Sequence, residues 1–264
     1  MTSDYPSARE AAPGTVQFIA HRGESADAPE NTMAAFRLAW ERGIACVELD
    51  VHLTRDGELV VCHDADTLRT TGVAGAICEH TVAQLLRLDA GAWKGPQWAG
   101  QPIPSLSAVL AEMPAESRAL VEIKVGPEAV PALARTVAAS GLSADRITAI
   151  SFNAGTVAAA RRLLPGHRAY LLGGLRRKGD ATPPETAPDR LIREAVAIGA
   201  HGLNLGVDDA IDGAFVRRVE AAGLALYVWT VDDAPTARRL IAAGVDGITS
   251  NRAAALRVEC GAGP

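Results

Sequence analysis

Two pairs of charged residues sit two positions apart in otherwise apolar runs. Glu48 and Asp50 lie within Cys46–Leu53, and Glu122 and Lys124 close the run Ala119–Lys124. Side chains alternate along an extended strand, so each pair projects from a single face. Burying such charges is costly unless they meet each other or a metal. Glu48, Asp50 and Glu122 together offer hard oxygen donors that suit a divalent cation such as Mg²⁺ or Ca²⁺. Zinc suits them less, although His21 is near enough in the pattern to serve it. His21-Arg22-Gly23 ends the first apolar run, and His63-Asp64 ends another. Between Leu53 and His63 stands Asp56-Gly57, a tight-turn pair that predicts a hairpin returning His63 toward the carboxylates. Two imidazoles beside a carboxylate-bound cation can act as general base and general acid near neutral pH, and Arg22 can hold a phosphate oxygen. The chemistry that this set suits is metal-assisted cleavage of a phosphoester.

Such side chains converge only if several strands end together. Short apolar runs alternate with Ala-rich amphipathic ones throughout the chain. Strands are predicted at Val16–Ala20, Cys46–Leu53, Ala119–Lys124, Ile147–Ser151, Arg168–Leu172, Gly202–Leu205, Ala225–Trp229 and Gly247–Ser250. Helices are predicted at Asn31–Arg42, Ser105–Met113, Pro127–Ser140, Ala154–Leu164, Asp189–Ile198, Asp209–Ala222, Ala234–Ala243 and Arg252–Val258. Asn31 is placed to cap the first helix, Pro127 stands at a first helical position, and Gly43, Gly141, Gly223 and Gly244 follow helix ends. Eight strand–helix units predict an α/β fold of the (β/α)8 TIM-barrel type, whose site lies at the C-terminal strand ends. No GxGxxG follows the first strand, which argues against a doubly wound dinucleotide fold. The turn-rich stretch of about 64–104 breaks the rhythm and reads as a small subdomain inserted between the second strand and the second helix, with one helical run at Thr81–Leu88. Residues 1–264 otherwise read as one domain, and Gly179–Pro188 as a mobile loop.

The motifs resemble those of the glycerophosphodiester phosphodiesterase family. They comprise His21-Arg22-Gly23, Pro29-Glu30-Asn31-Thr32 with Ala35-Phe36, Glu48-x-Asp50-Val51-x-Leu53-Thr54-x-Asp56-Gly57, and His63-Asp64. The likeness continues through Leu68-Arg69-Thr70-Thr71, Leu88-Asp89-Ala90-Gly91, Pro104-Ser105-Leu106, Glu122-Ile123-Lys124, Ser151-Phe152-Asn153, Val228-Trp229-Thr230-Val231 and Asp246-Gly247-Ile248. It implies a TIM barrel with a small insertion, a divalent metal, and hydrolysis of glycerophosphodiesters to glycerol 3-phosphate and an alcohol. Carried onto matching positions, it implies Glu48, Asp50 and Glu122 as metal ligands and His21 and His63 as the acid/base pair. Arg22 and Lys124 would neutralise the phosphate, and Trp229 would line the pocket toward the glycerol. The first nucleophile on this reading is water or the glycerol 2-hydroxyl. Two positions depart from the family pattern. Its usual Asn after Trp-Thr-Val is Asp232 here, and its Thr-Asp near the last strand's end reads Thr249-Ser250-Asn251. Both bear on substrate fit more than on catalysis.

Composition narrows the partners. The 264 residues carry a net charge of −5, with 48% hydrophobic and 22% charged residues, which is ordinary for a globular enzyme and unsuited to a nucleic-acid backbone. Of 26 Lys and Arg, only Lys94, Lys124 and Lys178 are lysine, so a Lys retained at position 124 suggests that a compact point charge is wanted there. Cys46, Cys62, Cys78 and Cys260 have no zinc-like spacing. The opening MTSDYPSAREAAPGTVQ has no apolar secretion core, and no apolar stretch approaches the ~18–20 residues of a membrane span, so the expected setting is cytoplasmic, without stable membrane insertion. Oligomeric state stays open. His52 shares the Glu48/Asp50 face as a lining or exposed residue, while His80, His167 and His201 read as surface or loop residues. Rival readings are lysophospholipase D or phospholipase C-like action on lipids, for which Trp93 and Trp98 in the insertion could supply contact, and a non-catalytic barrel that binds a phosphorylated ligand.

Overall fold

A computed structural model describes residues 16–175 and 187–262. The stretch Gly179–Pro188 and the first 15 residues fall largely outside the described set, so neither the loop nor the N-terminal expectation is addressed by it. The chain runs β1 (Gln17–His21), α1 (Met33–Glu41), β2 (Cys46–Leu53), β3 (Leu59–Val61), α2 (Leu68–Thr71), α3 (Val82–Leu85), α4 (Leu106–Glu112), β4 (Arg118–Ile123) and α5 (Val130–Ser140). It continues with β5 (Ile147–Ser151), α6 (Ala154–Leu163), β6 (Arg168–Gly173), α7 (Ala187–Ala197), β7 (Gly202–Gly206), α8 (Gly213–Ala221), β8 (Ala225–Trp229), α9 (Ala234–Ala243), β9 (Gly247–Ser250) and α10 (Ala253–Glu259).

Eight of these strands pair in parallel in the order β1-β9-β8-β7-β6-β5-β4-β2, and β1 pairs with β2 to close the (β/α)8 barrel. Strand parity divides the side chains into two cores. Outward positions such as Val47, Leu49 and Val51 on β2, or Ala119, Val121 and Ile123 on β4, pack with the helices in the main core. Inward positions form a second cluster with Ile19, Cys46, Leu120, Ile150, Tyr170, Leu172, Ala225 and Tyr227. Tyr170 and Tyr227 stack within the barrel, ring centroids 5.1 Å apart. Their bulk is accommodated by Gly202 and Gly247, where any Cβ would collide with a tyrosine ring. Glu48, Asp50 and Glu122 share this inward parity one or two steps nearer the C-terminal mouth.

The ninth strand is the predicted hairpin arm. Gly57 adopts φ +77° and donates its N–H to Thr54 O at 3.0 Å, and β3 runs antiparallel to β2 with Val51 opposite Val61. The excursion between β3 and α4 contains more helical turns than the sequence predicts. Besides α3, shorter than Thr81–Leu88, it holds α2 and 3₁₀ turns at Ile77–Glu79 and Pro96–Trp98. It folds over its own small core of Val60, Cys62, Ile77, Leu85, Ala90 and Ile103.

Several helix starts differ from the sequence reading: α5 follows a 3₁₀ turn at Pro127–Ala129, α7 begins at Ala187, and at α1 and α8 the capping side chain sets the start. Thr32, not Asn31, caps α1 and accepts from the Ala35 N–H, because Asn31 is turned inward at φ +57°. α8 begins at Gly213 rather than Asp209, since the Asp212 side chain accepts the Phe215 N–H there. Among the described residues no helix is long and apolar enough to cross a membrane.

Candidate active site

The C-terminal strand ends surround a cavity of about 260 Å³. Its lining includes His21 (end of β1), Arg22, Glu48 (β2), His63 (just beyond β3), Glu122 (β4), Lys124 and Trp229 (end of β8). Asp50 stands behind them, 1% exposed. The seven residues picked out by type and spacing, and Trp229, which the family resemblance adds, therefore fall at one mouth, brought there by barrel closure and the hairpin.

The carboxylates form its centre. One oxygen from each of Glu48, Asp50 and Glu122 lies within 4.8 Å of the others. Burial, then the charges of Asp50 and Glu122, push Glu48 well above the usual carboxylate range. Burial and Asp50 push Glu122 up to about 7 in spite of Lys124. Asp50 Oδ1 is buried without a hydrogen-bond partner, Lys124 Nζ standing 3.3 Å away. Three converging carboxylates that repel one another fit a hard divalent cation.

Around this centre the backbone itself is bent to purpose. Arg22 has φ +57°, and its N–H donates to Glu48 Oε2 at 3.0 Å. Gly23 follows at φ +81°, where a Cβ would collide with the backbone of Ala35 on α1. Asn31 Nδ2 donates to Asp50 Oδ2 at 2.8 Å and its Oδ1 accepts the Asp50 N–H at 3.3 Å. That inward role, which the left-handed tolerance of Asn permits, is why the helix cap passes to Thr32. Lys124 lies 2.8 Å from Glu122 Oε1; burial works against its charge, but Asp50 and Glu122 hold its pKa above the usual lysine value.

The two imidazoles are held differently. His21 Nδ1 lies 2.7 Å from Asn251 Oδ1, and its Nε2 is 3.9 Å from Glu48 Oε2. Asn251 Nδ2 donates to Asp232 Oδ2 at 2.6 Å, which leaves the amide oxygen for His21. Asn251 Oδ1 therefore accepts a hydrogen bond from Nδ1–H, and Nε2 carries the lone pair. Burial, then the Arg22 charge, lowers the His21 pKa and so favours the neutral ring. His63 Nδ1 instead meets a carboxylate, Asp64 Oδ1, at 2.7 Å. Asp64 Oδ2 accepts from Arg69 Nε at 2.6 Å, and Arg69 reaches Glu30 through both terminal nitrogens at 2.9 and 2.8 Å. The Arg69 hydrogen bond, with His63 behind it, brings Asp64 down to about 2. Glu30 also takes Arg22 Nη1 at 2.9 Å; burial pushes its carboxyl up, but the two arginines outweigh it and hold it low.

Several of these partners were visible in the sequence without a role. Glu30 and Asn31 stand in Pro29-Glu30-Asn31-Thr32, Asp64 follows His63, and Arg69 stands in Leu68-Arg69-Thr70-Thr71. Asp232 and Asn251, the two departures, prove to be partners of each other. His52 is buried, with Nε2 3.1 Å from His63 O, so it braces the hairpin instead of lining the mouth. His201 is a half-buried backbone brace, its Nδ1 accepting from the Ala169 N–H at 3.1 Å. Phe152, 53% exposed, meets Trp229 edge to face at 5.6 Å and had no signal beyond its motif.

Residues 21–255 match the model of the glycerophosphoryl diester phosphodiesterase family. The chain is 34% identical to a putative glycerophosphodiester phosphodiesterase of Bacillus subtilis, over 88% of this chain and 93% of that protein. It is likewise 34% identical to a glycerophosphodiester phosphodiesterase of Caldanaerobacter subterraneus subsp. tengcongensis, with the same coverage. Among solved structures it superposes on a phosphodiesterase of Oleispira antarctica in complex with the product sn-glycerol-3-phosphate, with a TM-score of 0.78 and 28% identity over 92% of this chain and 96% of that one.

Proposed function

The chain belongs to the glycerophosphoryl diester phosphodiesterase family, and on that footing we propose that it hydrolyses glycerophosphodiesters to sn-glycerol 3-phosphate and an alcohol, with a divalent cation, Mg²⁺ or Ca²⁺, at the carboxylate centre. The observation that carries this reading is the convergence of Glu48, Asp50 and Glu122 with two imidazoles and two cationic side chains on one cavity. The carboxylates would hold the cation, which when bound supplies Lewis-acid polarisation of the phosphoryl oxygens.

Arg22 and Lys124 meet the nonbridging phosphate oxygens and balance charge that grows on them in the transition state. His21 donates its Nδ1–H to Asn251 Oδ1 in a hydrogen bond, which leaves Nε2 to accept the proton of the nucleophile. His63, its Nδ1 fixed by Asp64, delivers a proton from Nε2 to the departing alkoxide. The aromatic side of the cavity, Trp229 with Phe152 against it, contacts the carbon skeleton of the glycerol. The whole chain acts as one domain, the excursion at about 64–104 seated beside the mouth through Arg69 and Lys94. Its setting is the cytoplasm, in keeping with its free cysteines.

A substrate panel tests the reading. Glycerophosphodiesters of choline, ethanolamine, inositol and glycerol, with a lysophospholipid in vesicles, are assayed after chelation and with each metal restored. Turnover of the soluble diesters ahead of the lipid is expected. Faster release from the vesicles would make the enzyme a lipid phosphodiesterase.

A further inference from the structure

Beneath the charged mouth, the cavity wall carries two polar side chains, each with a buried oxygen that meets no hydrogen-bond partner. Asn204 on β7 and Thr249 on β9 both line the cavity, and each is only 1% exposed. Asn204 Oδ1 and Thr249 Oγ1 have no hydrogen-bond partner. Their strand neighbours offer them no partner: Leu172 and Tyr227 flank Asn204, the Tyr227 hydroxyl donating to Gln17, and Ile19 pairs with Thr249. Native interiors rarely keep buried polar atoms unpaired, and a pair opening on one cavity points to a ligand that completes them.

The chemistry of that ligand follows from the groups. An amide and a hydroxyl each donate and accept, and neither carries charge. Phosphate belongs with the cations nearer the mouth, and a quaternary ammonium headgroup, which has no N–H to give, gains no hydrogen bond from these two residues. They match neutral hydroxyls on a short carbon chain, with Ile150 and Leu172 as the apolar surface for its carbons. We propose that Asn204 and Thr249 form the subsite that reads the free hydroxyls of the glycerol moiety. This assignment rests on the glycerophosphodiesterase reading and names the part of the cavity that distinguishes glycerol from a plain alkyl group. A site built to pair with a substrate hydroxyl rejects the analogue that lacks it, because its own polar atoms are then left bare.

The test compares sn-glycerol 3-phosphate with propyl phosphate, binding being measured by calorimetry in the presence of the divalent metal. The wild-type chain is expected to favour glycerol 3-phosphate by about tenfold or more. Thr249→Val, which keeps the side-chain shape, and Asn204→Leu are each expected to bring that ratio close to one while leaving propyl phosphate affinity unchanged. Thr249→Val should also melt no lower than wild type, since it removes an unpaired buried hydroxyl; a purely structural role would lower its melting temperature. A ratio that survives in the variants, or a wild-type chain that does not distinguish the two ligands, overturns the subsite. An intact ratio in a protein that turns over no glycerophosphodiester keeps the subsite and overturns the assigned reaction instead.

Discussion

At the scale of single residues, the carboxylate centre sets a pH dependence with a definite sign. In the metal-free protein Glu122 is held up to about 7 and Glu48 is raised as well, so the fold takes up protons that the unfolded chain releases near the ordinary carboxylate pKa of 4.5. Stability from this cluster is present at low pH and is lost as pH rises toward about 7. Thermal unfolding in EDTA should give a lower midpoint at pH 8 than at pH 6, and added Mg²⁺ or Ca²⁺ should raise the pH 8 value, by about 2.7 kcal/mol of stability at a hundred times its Kd. A metal-free midpoint that does not fall between pH 6 and 8 would deny the repulsion. The Asp232–Asn251 pair makes a second prediction. Asn251→Asp removes the amide donor and sets two carboxylates together, so kcat should fall at least about tenfold. The double variant Asp232→Asn/Asn251→Asp restores a donor–acceptor pair and should recover most of that loss. With a carboxylate now on His21 Nδ1, the acid limb of its pH–rate profile should move to higher pH. Equal activity in the single and double variants would show that the pair does not orient His21. At this scale the chemistry was legible wherever one strand carries it, because a spacing of two fixes the face of Glu48 and Asp50. The partner of His21 and the arginine behind Asp64 were not. His21 meets Asn251 across 230 positions, and Arg69 meets Glu30 across 39, distances over which local pattern carries no signal.

At the scale of elements, the excursion after β3 is tied to both histidines. Arg69 of α2 grips Asp64 and Glu30 on the His63 side. Lys94 Nζ donates to Ser25 O at 2.8 Å, and Ser25 Oγ donates to Asn251 Oδ1 at 3.0 Å on the His21 side. The excursion thus supports, from outside the cavity, the groups that hold both imidazoles. Arg69→Met should reduce kcat by about ten- to a hundredfold, since a small displacement of a reacting group is enough. Its melting temperature should change little, because the ion pairs it breaks are partly exposed. A melting loss in step with the activity loss would make Arg69 a structural residue only. Gly23 makes the opposite prediction. Its left-handed φ and its contact with the backbone of α1 leave no room for a methyl group, so Gly23→Ala should cost more than about 1 kcal/mol in denaturant unfolding, with activity falling alongside. The hairpin was readable from Asp56-Gly57. The helical turns of the excursion were not, since α2 and the 3₁₀ segments are too short for any hydrophobic period to appear.

At the scale of the whole molecule, the alternation of apolar and amphipathic runs sufficed to predict the barrel, because eight parallel strands with helices between them have few other ways to bury both faces. Closure itself, β1 against β2, is what turns separate strand ends into a site. The inward layers then divide the labour along the barrel axis. Tyrosines fill the interior, Asn204 and Thr249 form a polar step above them, and the charged ring occupies the mouth. The central claim, that this ring is a metal-supported acid/base centre for glycerophosphodiesters, is tested most directly by following release of sn-glycerol 3-phosphate from glycerophosphocholine by the chelated protein before and after Mg²⁺ or Ca²⁺ is restored, in wild type, His21→Ala and His63→Ala. The expected result is turnover by the wild type only with the cation, and a fall of about 10²–10⁴ in each histidine variant. Undiminished turnover in EDTA, or in either variant, would contradict it.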